Sequence, residues 1–245
     1  MCVRMQQGNT LLTLDPVCGG AIREFTWRDR QILRSASPLA NDDPFELACF
    51  PLVPYANRIA NGRFEFDGRS VSLASNSDPS VHPLHGQGWL APWEIVSTTA
   101  SSAALVFDGG GNEWPWRYRA QQQFELHDDA LKIDLSVQNL ADAPMPAMLG
   151  LHPYFCDAAH AQLQAKPPRV WLADDACLPV EEAASPAAWR FDAPRAVNTI
   201  ALDHCFTGWD GVAKITWPGR VITIHAQNCG FLHIYAPAGK KFFLR

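Results

Sequence analysis

The sequence predicts an all-β protein, a large antiparallel β-sandwich formed by a single domain over residues 1–245, and three observations carry that prediction. Arg63-Phe64-Glu65-Phe66-Asp67-Gly68-Arg69-Ser70-Val71-Ser72-Leu73 alternates apolar and polar side chains on both sides of an Asp-Gly pair, the strongest short-range signal for a hairpin. Leu131-Lys132-Ile133-Asp134-Leu135-Ser136-Val137 alternates without a fault after the turn-like His127-Asp128-Asp129, which pairs it with residues 120–126. No helical pattern of full length competes. The one helix-friendly stretch, Glu181-Glu182-Ala183-Ala184, is predicted to stop within a turn or two, because Ser185-Pro186 follows it.

In chain order, further strands are predicted at residues 10–14, 21–27, 103–107, 170–172, 212–217, 221–225 and 231–235. Turn clusters such as Gly109-Gly110-Gly111-Asn112 separate them. The 19 prolines are spread along the chain rather than gathered at a boundary, as expected for the edges and turns of one large sandwich. No internal repeat, low-complexity tract or linker interrupts it.

Composition narrows the function classes. With 47% hydrophobic and 18% charged residues, the chain can bury a full core. A formal charge of −5 and a pI near 5.9 give no basic field, so a nucleic-acid partner is not expected. The first residues, Met1 to Gly8, carry one cation and no apolar run behind it, so no secretory signal is expected. The most apolar region, Leu47-Ala48-Cys49-Phe50-Pro51-Leu52-Val53-Pro54, is short and broken by two prolines, which argues against a spanning helix and for a soluble protein. Seven scattered cysteines, never in a Cys-x-x-Cys pair, support neither a disulfide framework nor a zinc ribbon and fit a reducing cytoplasm.

Two histidines lie in small, aromatic-flanked frames: Pro83-Leu84-His85-Gly86 before Trp89 and Trp93, and Gly150-Leu151-His152-Pro153-Tyr154-Phe155. An imidazole can exchange protons near neutral pH, and aromatic faces suit an apolar or sugar-like ligand, so both frames point to a small-molecule site. His85 also reads as a structural histidine capping a turn, and His152, held extended by Pro153, as a packed core histidine. His82 and His85 have His-x-x-His spacing, but no third clustered ligand accompanies them, so no metal is expected. Arg58, in Asn57-Arg58-Ile59, could bind vicinal oxygens or form a surface ion pair. Asp203 is an acid amid apolar neighbours; sugar hydroxyls would give it partners, and a turn cap is the alternative.

Taken in order along an all-β chain, Asn57-Arg58-Ile59 with Gly62 and Phe64, Leu84-His85-Gly86 with Trp93, Leu151-His152-Pro153-Tyr154-Phe155 and Leu202-Asp203-His204-Cys205-Phe206 resemble the aldose 1-epimerase (galactose mutarotase) family. The resemblance spans most of the chain. It implies a galactose mutarotase-like supersandwich with a sugar-binding cleft and no metal or organic cofactor. It further implies that Arg58 and Asp203 hold sugar hydroxyls, that His85 contacts the sugar near the reacting centre, and that His152 is the general acid. The residue types suit that chemistry. Interconverting α and β anomers takes a proton from the C1 hydroxyl and delivers one to the ring oxygen, and a histidine can give a proton and take it back within one cycle.

The sequence departs from the family at one point. Family members carry a glutamate base shortly after a strand like Phe231-Leu232-His233-Ile234-Tyr235-Ala236-Pro237, whereas this chain ends at Lys240-Lys241-Phe242-Phe243-Leu244-Arg245 and has no glutamate after Glu182. Asp210 is the only acid beyond Asp203. The expectation is a chain shortened at its C-terminus, lacking the final strand or strands and their carboxylate and leaving residues 231–235 as an open edge. Three readings follow: an aldose 1-epimerase acting on a free hexose, a non-catalytic sugar-binding protein, or an epimerase of a hexose phosphate. The last would need extra cations near the cleft. Arg63, Arg69, Arg117 and Arg119 are available, but their alternation with apolar residues predicts solvent-facing positions.

Overall fold

Period-two alternation becomes strand wherever one face can be buried, and the computed structural model, which describes residues 1–36, 43–111, 113–199 and 201–236, is nearly all β and of the sandwich type. By internal contacts the chain divides into two compact units, Met1–Pro153 and Tyr154–Arg245. Asn112 and the C-terminal residues 237–245, including Phe242-Phe243, lie outside the described residues.

The first unit holds β1 (Val3–Gln7), β2 (Thr10–Asp15), β3 (Ala21–Trp27), β4 (Arg30–Gln31), β5 (Cys49–Leu52), β6 (Arg63–Phe66), β7 (Arg69–Ser72), β8 (Glu94–Thr98), β9 (Ser102–Gly109), β10 (Tyr118–Leu126), β11 (Leu131–Asn139) and β12 (Gly150–Pro153). One antiparallel sheet runs β1-β2-β3-β5-β12, with β4 added to β3; a second runs β11-β10-β9-β8; β6 and β7 form a separate hairpin. The hairpin is the one that Asp67-Gly68 predicts: both residues have positive φ, 49° and 72°, as a two-residue primed turn requires. In β10, Tyr118, Ala120, Gln122, Phe124 and Leu126 point inward, and the register sets Phe124 opposite Ile133 and Leu126 opposite Leu131. Gln122 is the polar member of that row. Its Nε2 donates to the Gly20 carbonyl at 3.0 Å, so the amide is satisfied inside the core. A Cβ on Gly20, whose φ is +59°, would come within 2.7 Å of that same amide, so the position requires glycine.

The second unit holds β13 (Gln162–Ala165), β14 (Arg169–Ala173), β15 (Pro179–Ala184), β16 (Phe191–Ala196), β17 (Leu202–Thr207), β18 (Val212–Trp217), β19 (Arg220–His225) and β20 (Phe231–Ala236). Its sheets run β16-β13-β18-β19 and β15-β14-β17-β20. Leu163 faces Ile215 across one ladder, and Phe206 faces Leu232 across the other, all buried. Glu181-Glu182-Ala183-Ala184 is not helical. It is the outer strand β15, where Trp171 opposes Glu182 and Val170 opposes Ala183. Glu182 also accepts from the Thr207 hydroxyl at 2.5 Å and meets Arg169 at 3.1 Å, so ladder and side-chain bonds together outweigh a weak helical preference. No described helix is long and apolar enough to cross a membrane.

Leu163→Ala, which truncates a side chain with 0% exposure, is expected to lower the unfolding free energy by about 2–5 kcal/mol in urea titrations. Val221→Ala, at 60% exposure, should stay within about 0.5 kcal/mol of the parent in the same measurement.

Candidate functional site

His85 sits in a turn whose backbone is zipped onto the segment after β5. The His85 N–H donates to Asn57 O at 3.0 Å, and the Asn57 N–H donates back to His85 Nδ1 at 3.0 Å. Ile59 N–H reaches Pro83 O at 3.1 Å, and the N–H groups of Gln87 and Gly88 both reach Val53 O at 3.0 Å. Asn76 fills the inside of the turn: Oδ1 accepts from Leu84 N–H at 2.7 Å, and Nδ2 donates to the carbonyls of Leu84 and Gly86 at 2.9 Å each. The Trp89 indole N–H is shared between those two carbonyls at 3.1 Å each. These bonds hold His85 at φ 59°, a left-handed conformation that a residue with a Cβ adopts only when its surroundings enforce it.

Because Nδ1 of His85 accepts a main-chain N–H, the proton of the neutral ring belongs on Nε2. The second histidine comes from β12. His152 lies opposite Phe50 of β5, so both side chains leave the same face, and their rings stack at 4.5 Å with 28° between planes. The two imidazoles meet edge to face at 5.7 Å and 82°. Phe50 and Trp89, 5.5 Å apart, wall the pair, and His85 and His152 are 2% and 0% exposed. Arg58 is half-buried beside the turn: its backbone bridges Leu84, and its Nη1 donates to Asn57 Oδ1 at 3.4 Å. His82 sends its Nδ1 elsewhere, to Asn61 N–H at 3.0 Å. Among the described residues no group of three or more His, Cys, Asp or Glu could hold a metal ion.

The neighbouring titratable groups show how dry this part of the unit is. Burial pushes the Cys49 thiol up to about 12, although the main-chain N–H of His152 bonded to it pulls the other way. Burial likewise pushes Tyr55 up to about 12, against the pull of the Gly86 N–H bonded to its hydroxyl; the Glu113 carboxylate adds to the rise. Burial raises Tyr118 further still.

Sequence reasoning did not find Gln87. Its side chain bonds Gly110 through both amide ends, accepts from the Tyr118 hydroxyl, and donates to Glu113. The only signal was its place two residues past His85.

Asp203 belongs to the second unit. On β17 it lies opposite Tyr235, and its Oδ1 meets His233 Nε2 of β20 at 2.6 Å. The Asp203 carboxylate thus has a side-chain partner within its own sheet, on a strand rather than at the turn that the capping alternative requires. His233 was not singled out from the sequence, although alternation along Phe231-Leu232-His233-Ile234-Tyr235 puts it on the same face of the strand as Tyr235.

Residues 1–244 match the aldose 1-epimerase family along their length. The chain belongs to that family. It is 34% identical over 239 residues to the uncharacterized protein YphB of Escherichia coli K12, an alignment covering 94% of this chain and 80% of YphB. It is 31% identical over 188 residues to the aldose 1-epimerase of Escherichia coli K12, covering 74% of this chain. The chain spans about half the length of that enzyme, 51%. The crystal structure of a candidate aldose 1-epimerase from Escherichia coli K12 superimposes with a TM-score of 0.92 at 29% identity, covering 100% of this chain and 86% of that one.

Within this aldose 1-epimerase family member, the raised thiol and phenol make a prediction about alkaline stability. A group whose folded-state pKa is raised contributes stability that is whole below its unfolded pKa and is lost as pH rises toward the folded value. Cys49 should therefore weaken the fold from about pH 9, and Tyr55 from about pH 10, each by about 1.4 kcal/mol per pH unit until about pH 12. Urea midpoints measured from pH 8 to 11 should fall, and Cys49→Ala should flatten the part that begins near pH 9. An unchanged slope in that variant would contradict the assignment.

Proposed function

We propose that this family member binds a free hexose at the imidazole pair of its first unit and interconverts the sugar's anomers by acid–base chemistry. The observation that carries the reading is a pair of buried histidines 5.7 Å apart inside an aromatic wall, one with its tautomer fixed by a main-chain bond. In this reading His152 is the general acid. It delivers a proton to the ring oxygen as the C1 hydroxyl loses its own, the ring opens, the aldehyde turns, and His152 takes the proton back as the ring closes on the other face. His85, with its proton on Nε2, donates to a sugar oxygen and so fixes where the reacting centre sits. Arg58 supplies a two-pronged donor for vicinal hydroxyls. For Asp203 we propose the hydroxyl-accepting role that the family resemblance gives it. Its pairing with His233 supports a carboxylate held in one orientation.

The base in this chemistry is a carboxylate, and the resemblance assigns it to a glutamate of which the sequence has none after Glu182. A phosphorylated hexose has less support: Arg119 is engaged twice with Asp108 at 2.7 Å, Arg69 lies over Trp116 and donates to Pro115 O, and Arg63 and Arg117 are exposed.

Calorimetry with galactose and glucose should give millimolar binding that Arg58→Ala weakens about tenfold. Optical rotation of freshly dissolved α-glucose follows turnover. His152→Ala should lower any catalysed rate by about two to four orders of magnitude while changing affinity less than about threefold. If no hexose and no hexose phosphate binds at millimolar concentration, the sugar reading is wrong.

A further inference from the structure

The side-chain amide of Gln87 uses every hydrogen-bonding position it has. Oε1 accepts from the Gly110 N–H at 3.1 Å and from the Tyr118 hydroxyl at 3.1 Å; Nε2 donates to the Gly110 carbonyl at 3.3 Å and to Glu113 Oε2 at 3.0 Å. Two acceptor sites and two donor protons are all that a primary amide carries. The partners also decide which end is oxygen. Turning the amide over would set its N–H groups against the Gly110 N–H and its oxygen against the Glu113 carboxylate, so one orientation is enforced.

The main chain of Gln87 is fixed as well, through its N–H to Val53 O at 3.0 Å. Gly86, between Gln87 and His85, has φ 73° and gives its N–H to the Tyr55 hydroxyl. Rotation of the Gln87 backbone is therefore opposed from both sides, and the strained φ of His85 one residue further back is kept from relaxing. Asn76 and Trp89 hold the inside of the turn; Gln87 is the side chain that anchors its exit to Gly110 and Tyr118.

We infer that Gln87 is a positioning residue for His85, and that the Glu113 carboxylate keeps the Gln87 amide in its working orientation. The step from a placed His85 to a bound sugar rests on the function proposed above.

The test is a charge-swap cycle. Q87E keeps acceptors for the Gly110 N–H and Tyr118 hydroxyl but sets a carboxylate against Glu113 and against the Gly110 carbonyl. Q87A removes all four bonds. E113Q alone keeps an acceptor for Gln87, and in the Q87E background its new amide donates to the new carboxylate. Long-range 1H–15N spectra of the imidazoles report the His85 tautomer directly, calorimetry reports galactose affinity, and thermal melts report folding. Q87E and Q87A should shift the His85 ring nitrogens away from the Nε2–H pattern and weaken galactose binding about tenfold; E113Q should weaken it no more than about threefold; and Q87E/E113Q should recover most of the loss over Q87E. The inference is overturned if the His85 nitrogens stay in place in both Q87E and Q87A, or if Q87E/E113Q is no better than Q87E. Absence of galactose binding in the unsubstituted protein overturns the sugar reading alone, and the ring-nitrogen shifts still decide the role of Gln87.

Discussion

The first unit is organised around one strained turn. His85 carries a Cβ at φ 59°, and such a conformation persists only where neighbouring bonds over-determine it. Three independent sources do so: the main chain of Val53 and Asn57, the amide of Asn76, and the indole of Trp89. Each also settles a backbone group that burial would otherwise leave unpaired, so the bonds that hold the strain are ones the core needs anyway. The reciprocal pair between Asn57 and His85 goes further. It spends one ring nitrogen on structure and thereby determines what the other can do.

His152 reaches the same place by a different route. Its ring needs no turn, because cross-strand pairing of β12 with β5 is enough to stack it on Phe50. Register opposite an aromatic residue places a side chain through packing as well as a turn does through polar bonds. One imidazole is thus placed by a turn and the other by strand pairing.

Much of this was legible in the sequence, and the failures have physical causes. Residues 63–73, 120–126 and 131–137 read as strands because alternate side chains differ in exposure, so period two is visible. β5, Cys49-Phe50-Pro51-Leu52, is buried on both faces, and β8 is exposed at all five positions; neither alternates, and neither was read as a strand. β15 misled for the opposite reason, since its glutamates and alanines suit a helix and only the pairing with β14 and the bond to Thr207 reveal the strand. His85 and His152 announce themselves through aromatic flanks. Asn76, Gln87 and His233 do not, because an amide or imidazole with distant partners looks like any polar residue until strand register brings the partners together.

The β5–β12 pair also sets two protonatable groups side by side in the same dry surroundings. Cys49 and His152 are adjacent in space, linked by a main-chain bond to the sulfur. A thiol is a nucleophile or base only as its anion, and burial that pushes Cys49 up to about 12 removes the anion at neutral pH. An imidazole pays no such penalty in its neutral form, which already offers one donor and one acceptor. In the proposed mechanism the same dry surroundings disarm the thiol and leave proton exchange to the ring. Burial thus decides which form of the thiol persists, and strand pairing decides where the imidazole sits.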